Sequence, residues 1–69
     1  MKSNWKKVFS SNHEYKVSIV EQILIENGIA SVRINKMDSV YGLGQIEVLV
    51  SQEDVLEAIN RINKEIRFE

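Results

Sequence analysis

The densest group of side chains able to bind or react lies between Asn35 and Gly44, in the run Asn-Lys-Met-Asp-Ser-Val-Tyr-Gly-Leu-Gly. Lys36, Asp38, Ser39 and Tyr41 offer a cation, a carboxylate and two hydroxyls, and Gly42 and Gly44 offer uncrowded backbone amides. That set suits a polar small ligand, and these four side chains are the candidate ligand residues. The competing reading is local: Asp-Ser pairs close turns on their own backbone, and Tyr41 and Leu43 would then cover an edge of the core. The glycines do not make a phosphate loop, because no Gly-Lys-Ser/Thr follows and the next element reads as a strand. Elsewhere chemistry is thin. His13, the single histidine, stands at the start of a helix with no acid or nucleophile at a defined spacing. Asp38 and Ser39 have no predictable base partner. Carboxylate pairs, metal boxes and nucleophile elbows are missing, so no catalytic residue, metal or cofactor is expected and the chain reads as a non-enzyme.

The loop is long for its place. It joins two alternating segments, Ala30–Asn35 and Gln45–Val50, whereas hairpins usually close in about two to five residues. In the first segment Ala30, Val32 and Ile34 alternate with Ser31, Arg33 and Asn35; in the second, Ile46, Val48 and Val50 alternate with Gln45, Glu47 and Leu49. Alternation of this kind predicts half-buried antiparallel strands. Placing Arg33 opposite Glu47 and Val32 opposite Val48 puts both apolar sets inward. Asn35 and Gln45 then form the last pair, leaving Lys36–Gly44 as the excursion.

Two helices flank the hairpin. Ser11 and Glu14 have the spacing of a capping box. Tyr15, Ile19, Val20, Ile23 and Leu24 then fall on one stripe, with Lys16 snorkelling within it. Asn27-Gly28 ends this helix, with Ile29 folding back on Leu24. The second helix is expected from Ser51, with Asp54 serving its free amides and Val55, Ile59, Ile62 and Ile66 as its buried stripe beside Ala58. Glu57 and Arg61 make an i,i+4 pair. A short strand, Trp5–Ser10, opens the order; its periodicity leaves undecided which face is buried. The tail from Ile66 to Phe68 reads equally as helix or short strand. The order β-α-β-β-α, with a possible last strand, predicts an α+β, two-layer ferredoxin-like sandwich.

Composition bounds the partners. Sixty-nine residues make one domain, residues 1–69, and a domain this short buries only about 60% of its unfolded surface. Without cysteine, disulfides and thiolate metal sites are unavailable, which leaves association as reinforcement. A cysteine-free chain also suits a cytoplasmic setting. The net charge of −1 supplies no field for nucleic acid or anionic membrane. No apolar run is long enough to span a bilayer, and the first residues lack the apolar core of a signal peptide. If Val8 faces inward, the open sheet face carries Trp5, Phe9, Arg33, Glu47 and Leu49: an apolar patch with charge at its rim. The expectation is a homodimer through that face, with Arg33 and Glu47 setting register.

Four segments carry a family resemblance: Trp5–Phe9, Leu24–Ile29, Ile34–Ser39 and Gly44–Val50. Asn35-Lys36-x-Asp38-Ser39 followed by Gly-x-Ile-Glu is the most specific part. The chain resembles a family of small prokaryotic domains of unknown function that carries a provisional signal-transduction label and is likened to PII-type regulators. Met37 and Val40 depart from the polar residue and second serine common there. The resemblance implies a ferredoxin-like fold and a regulatory or protein-interaction role, with the small-ligand loop as the alternative. It maps no residue onto a nucleotide site.

Overall fold

The computed structural model describes residues 4–37 and 44–66. The elements are β1 (Trp5–Ser11), α1 (Glu14–Glu26), β2 (Ser31–Asn35), β3 (Ile46–Ser51), a 3-10 turn (Gln52–Asp54) and α2 (Val55–Glu65). The described strands form one antiparallel sheet in the order β1-β3-β2. The last strand of the three is therefore the central one, as the split β-α-β arrangement requires. Both helices pack on one sheet face, and the architecture is the expected α+β sandwich.

The core lies between these layers. It joins Val17, Val20, Leu24 and Ile29 to Ile46, Val48 and Val50 of β3 and to Ala58 and Ile62 of α2. β3 supplies alternate residues because its inward face is covered by helices while its other face is not.

α1 is rotated from the expected stripe. Val17 is fully buried, whereas Tyr15 and Ile19 are exposed. Val17, Val20 and Leu24 follow the i, i+3, i+7 spacing as well as the expected set does, and the sheet decides between them. The capping box does not form. Ser11 closes β1, and its Oγ accepts from the His13 N–H at 3.0 Å. His13 is the N-cap, and its carbonyl accepts from Lys16 N–H at 3.1 Å and Val17 N–H at 3.3 Å.

The other end of α1 is as expected. Gly28 adopts φ 73°. Its N–H donates to Ile25 O (3.0 Å), and the Ile29 N–H donates to Leu24 O (2.9 Å). This is a Schellman closure, and Ile29 is buried against the core it turns back to. α2 begins at Val55, four residues later than expected, because Gln52–Asp54 first make the 3-10 turn. Ile59 is exposed. Ile66 is extended, so the helix stops there, although its N–H still donates to Ile62 O at 2.9 Å. Whether a strand follows falls on residues 67–69, outside the described ones.

Candidate functional site: the open sheet face

The open face is set by two register features. The first is a shift in β1. Lys7 pairs with Leu49 and Phe9 with Val48, so Val8 is an extra residue between them. Without that bulge Trp5, Lys7 and Phe9 would share a face. With it, Trp5 and Lys7 stay on the open face and Phe9 turns to the helix side, where it packs against the core. The strand whose buried face periodicity left undecided thus uses both faces in turn.

The second feature is the β2–β3 pairing. Val32 lies opposite Leu49, Arg33 opposite Val48, Ile34 opposite Glu47 and Asn35 opposite Ile46. This is one residue away from the expected register, and one residue is enough to exchange the two faces of a strand. Val32 and Ile34 therefore point away from the helices, at 39% and 38% exposure. Arg33 points toward them. The stem of the loop closes one pair later, where the Lys36 N–H donates to Gln45 O at 3.1 Å.

Electrostatics on α1 explain the exchange. Glu14, Ser18 and Glu21 stand at i, i+4 and i+7, a polar stripe along the side of α1 that meets β2. The Arg33 guanidinium lies across it. It donates from Nε to Glu21 Oε2 (3.2 Å) and from Nη2 to Glu21 Oε1 (2.7 Å), a two-pronged contact. It also donates from Nη1 to Glu14 Oε2 and from Nη2 to Ser18 Oγ, each at 3.2 Å. The hydrogen bond to Glu21 is the main reason the guanidinium pKa is raised. A raised pKa gives stability that is complete below the unfolded-state value and lost only above the folded one. For arginine that window lies far above neutral pH, so Arg33 holds this contact throughout the neutral range.

Arg33→Ala is expected to destabilise the fold by about 1–2 kcal/mol. This is above an exposed ion pair because the Glu21 contact is forked and partly buried. Arg33→Lys should recover only part, since an ammonium lacks the fork. Urea unfolding of the three proteins reads this, and an alanine variant unchanged from wild type would refute it.

On the open face the residues assemble in rows. Trp5 is opposite Ser51; Lys7, Leu49 and Val32 form the next row; Ser10, Glu47 and Ile34 the next; Gln45 and Lys36 the last. Trp5, Val32, Ile34 and Leu49 make an apolar patch across three strands. Glu47 borders it on β3 with a lysine on either side: Lys7 Nζ is 3.7 Å from Oε2, and Lys36 Nζ is 3.3 Å from Oε1. The Glu47 side chain is 18% exposed against 53% and 54% for the lysines, so the carboxylate is the sheltered member.

Of the residues expected on this face, Trp5, Glu47 and Leu49 are there. Phe9 and Arg33 are not, and Arg33 cannot set register with Glu47 from the opposite side of the sheet. Val32 and Ile34 were missed. The signal that could have found them is the Glu14-Ser18-Glu21 stripe, which needs a cation from the adjoining strand. Of the expected ligand residues, Lys36 is paired with Glu47, while Asp38, Ser39 and Tyr41 lie outside the described residues. His13 sits at the start of α1 with its ring 5.7 Å from that of Tyr15. Among the described residues no helix is long and apolar enough to cross a membrane.

A family model described as "Putative prokaryotic signal transducing protein" matches residues 5–66. No curated protein and no solved structure matches the chain.

Proposed function

The chain belongs to this family, whose description points to prokaryotic signal transduction, and we propose that it serves there as a cytoplasmic binding module that pairs with a second copy through its open sheet face. It works by association and not by catalysis. The observation that carries the reading is the apolar patch of Trp5, Val32, Ile34 and Leu49 on the sheet face that no described helix covers. Two β-branched residues side by side on an antiparallel face that no described helix covers are unusual, since such faces are ordinarily polar. Contiguous apolar area with a charged rim is characteristic of association surfaces.

Size supports the same reading. A chain of 69 residues without cysteine has limited core, and covering a second apolar face would add to the burial that stabilises it. The net charge of −1 per chain puts little long-range repulsion between copies.

Sedimentation equilibrium at micromolar concentration tests the proposal. A dimer is expected, and Leu49→Asp should weaken it by at least about tenfold, the scale of one central contact residue. Leu49 is on the far side of the sheet from the core, so the circular dichroism of the variant should match wild type. A monomeric wild-type chain would overturn the reading.

A further inference from the structure

The two outer strands of the sheet are finished differently. β1 carries the bulge at Val8 and the lysines Lys6 and Lys7, devices that keep other strands from adding to an edge. β2, Ser31–Asn35, has no bulge, lysine or proline. Among the described residues nothing pairs with its outer side. The Lys36 N–H to Gln45 O bond fixes which groups point there. Alternate residues of an antiparallel strand bond to the same neighbour, so in this register Val32 and Ile34 turn their N–H and C=O groups to β3. Ser31, Arg33 and Asn35 turn theirs outward, a row of donors and acceptors at strand spacing.

A second copy fits that row poorly. Two-fold antiparallel pairing of β2 with itself, in the register that matches all of Ser31–Asn35, centres on Arg33 and sets it directly opposite its counterpart. Like charges directly opposite destabilise a strand pair, and an inward-pointing charge is itself a device against edge-to-edge pairing. Such pairing would also bring together the acidic stripes of two α1 helices, each with Glu14 and Glu21. An extended segment with no helix above it meets neither obstacle.

The surroundings of the edge define what that segment should carry. Side chains beside Val32 and Ile34 would join the apolar patch of the open face, so apolar β-branched residues suit those places. Side chains on the other face would lie near the Glu14-Ser18-Glu21 stripe, where two carboxylates share one guanidinium. The Glu14 side chain is 75% exposed and open to a second cation. Lysine or arginine therefore suits the places beside Ser31 and Asn35, with an uncharged residue opposite Arg33. We infer that the outer edge of β2 takes up an extended segment of a partner protein, alternating basic and apolar residues, as an added antiparallel strand. This surface is separate from the open face and does not depend on self-association.

The peptide acetyl-Lys-Val-Thr-Val-Lys-amide tests the site, read by amide hydrogen exchange in the full chain. In the free protein the Val32 and Ile34 amides should exchange more slowly than that of Arg33. In millimolar peptide the Arg33 amide should slow at least about threefold, with Val32 and Ile34 little changed. Replacing both lysines of the peptide by glutamate should weaken binding at least about threefold. Methylating its threonine nitrogen, which removes the donor to the Arg33 carbonyl, should abolish the protection. Glu14→Lys should remove the preference for the lysine peptide; should that variant fail to fold by circular dichroism, Glu14→Gln should narrow the preference. Leu49→Asp should leave peptide binding within about threefold of wild type, since Leu49 lies outside this edge; a monomeric chain that still binds the peptide would overturn self-association alone. An Arg33 amide unmoved by the lysine peptide, or equal binding of the lysine and glutamate peptides, would overturn the edge site alone. So would an Arg33 amide already protected in the free protein: protection that grows with protein concentration would put a second copy on the edge, and protection independent of it a segment of the same chain.

Discussion

Leu24→Ala is expected to remove about 2–5 kcal/mol of stability. A 69-residue domain has only roughly 3–10 kcal/mol to lose. Leu24 is fully buried and heads the largest such side chains, which include Val17, Val20, Val48 and Val50. It stands in the last turn of α1, inside the cluster that joins both helices to β3. Its carbonyl accepts the Ile29 N–H that closes the helix, and Ile29 is itself in that cluster. Truncation would open a cavity where helix, turn and sheet meet, and the surroundings are too tightly connected to collapse into it. The urea midpoint should fall steeply, with a fraction of the variant already unfolded in buffer. Leu56→Ala is the control: Leu56 is 84% exposed on α2 and should change stability by less than about 0.5 kcal/mol. A loss below about 1 kcal/mol at Leu24 would mean that the core is not joined there.

Most of the frame was readable from residue types. The Schellman closure was legible in advance because its determinants are local: a residue able to hold positive φ at Gly28 and an apolar residue just after it. The element order, the Glu57–Arg61 pair (3.8 Å) and the inward set of β3 were legible for similar reasons. Apart from the capping box and the start of α2, the departures share a cause: each turns on which face of an element meets its neighbour, and that is a tertiary matter. Val17 displaced Tyr15 and Ile19 because the sheet selects the buried side of α1. Val8 bulged, so β1 changed faces partway. Arg33 went inward because α1 offered it two carboxylates and a hydroxyl, and Val32 and Ile34 had to go outward with it. The inward place on β2 thus went to the residue that the polar stripe of α1 can pair, and the face that no described helix covers became more apolar than alternation implied. The proposed site is the product of that exchange. A reading that maximised apolar burial was bound to miss the two residues that β2 contributes to it.

Gly44 shows the same conflict between chemistry offered and geometry required. Its sequence context suggests an amide available to a ligand, yet its position explains the glycine without one. A Cβ placed on Gly44 would collide with the Lys36 carbonyl and lie 2.9 Å from the Lys36 Cβ. The carbonyl is backbone and cannot swing aside as a long side chain would. Relief requires the two strands to part at the stem, which breaks the Lys36 N–H to Gln45 O bond of 3.1 Å. Overpacking of about 1–3 kcal/mol and a lost hydrogen bond of about 0.5–1.5 kcal/mol give an expected cost of roughly 2–4 kcal/mol for Gly44→Ala. Gly28→Ala makes the comparison decisive. There a Cβ would meet nothing within 4 Å, and only the φ of 73° resists it, at about 1–2 kcal/mol. Gly44→Ala should therefore melt at the lower temperature of the two, even though Gly28 has the unusual backbone angle. Thermal melts of the two variants read the difference. A Gly44→Ala melt equal to wild type would show that the stem does not close as tightly as the Lys36–Gly44 approach requires.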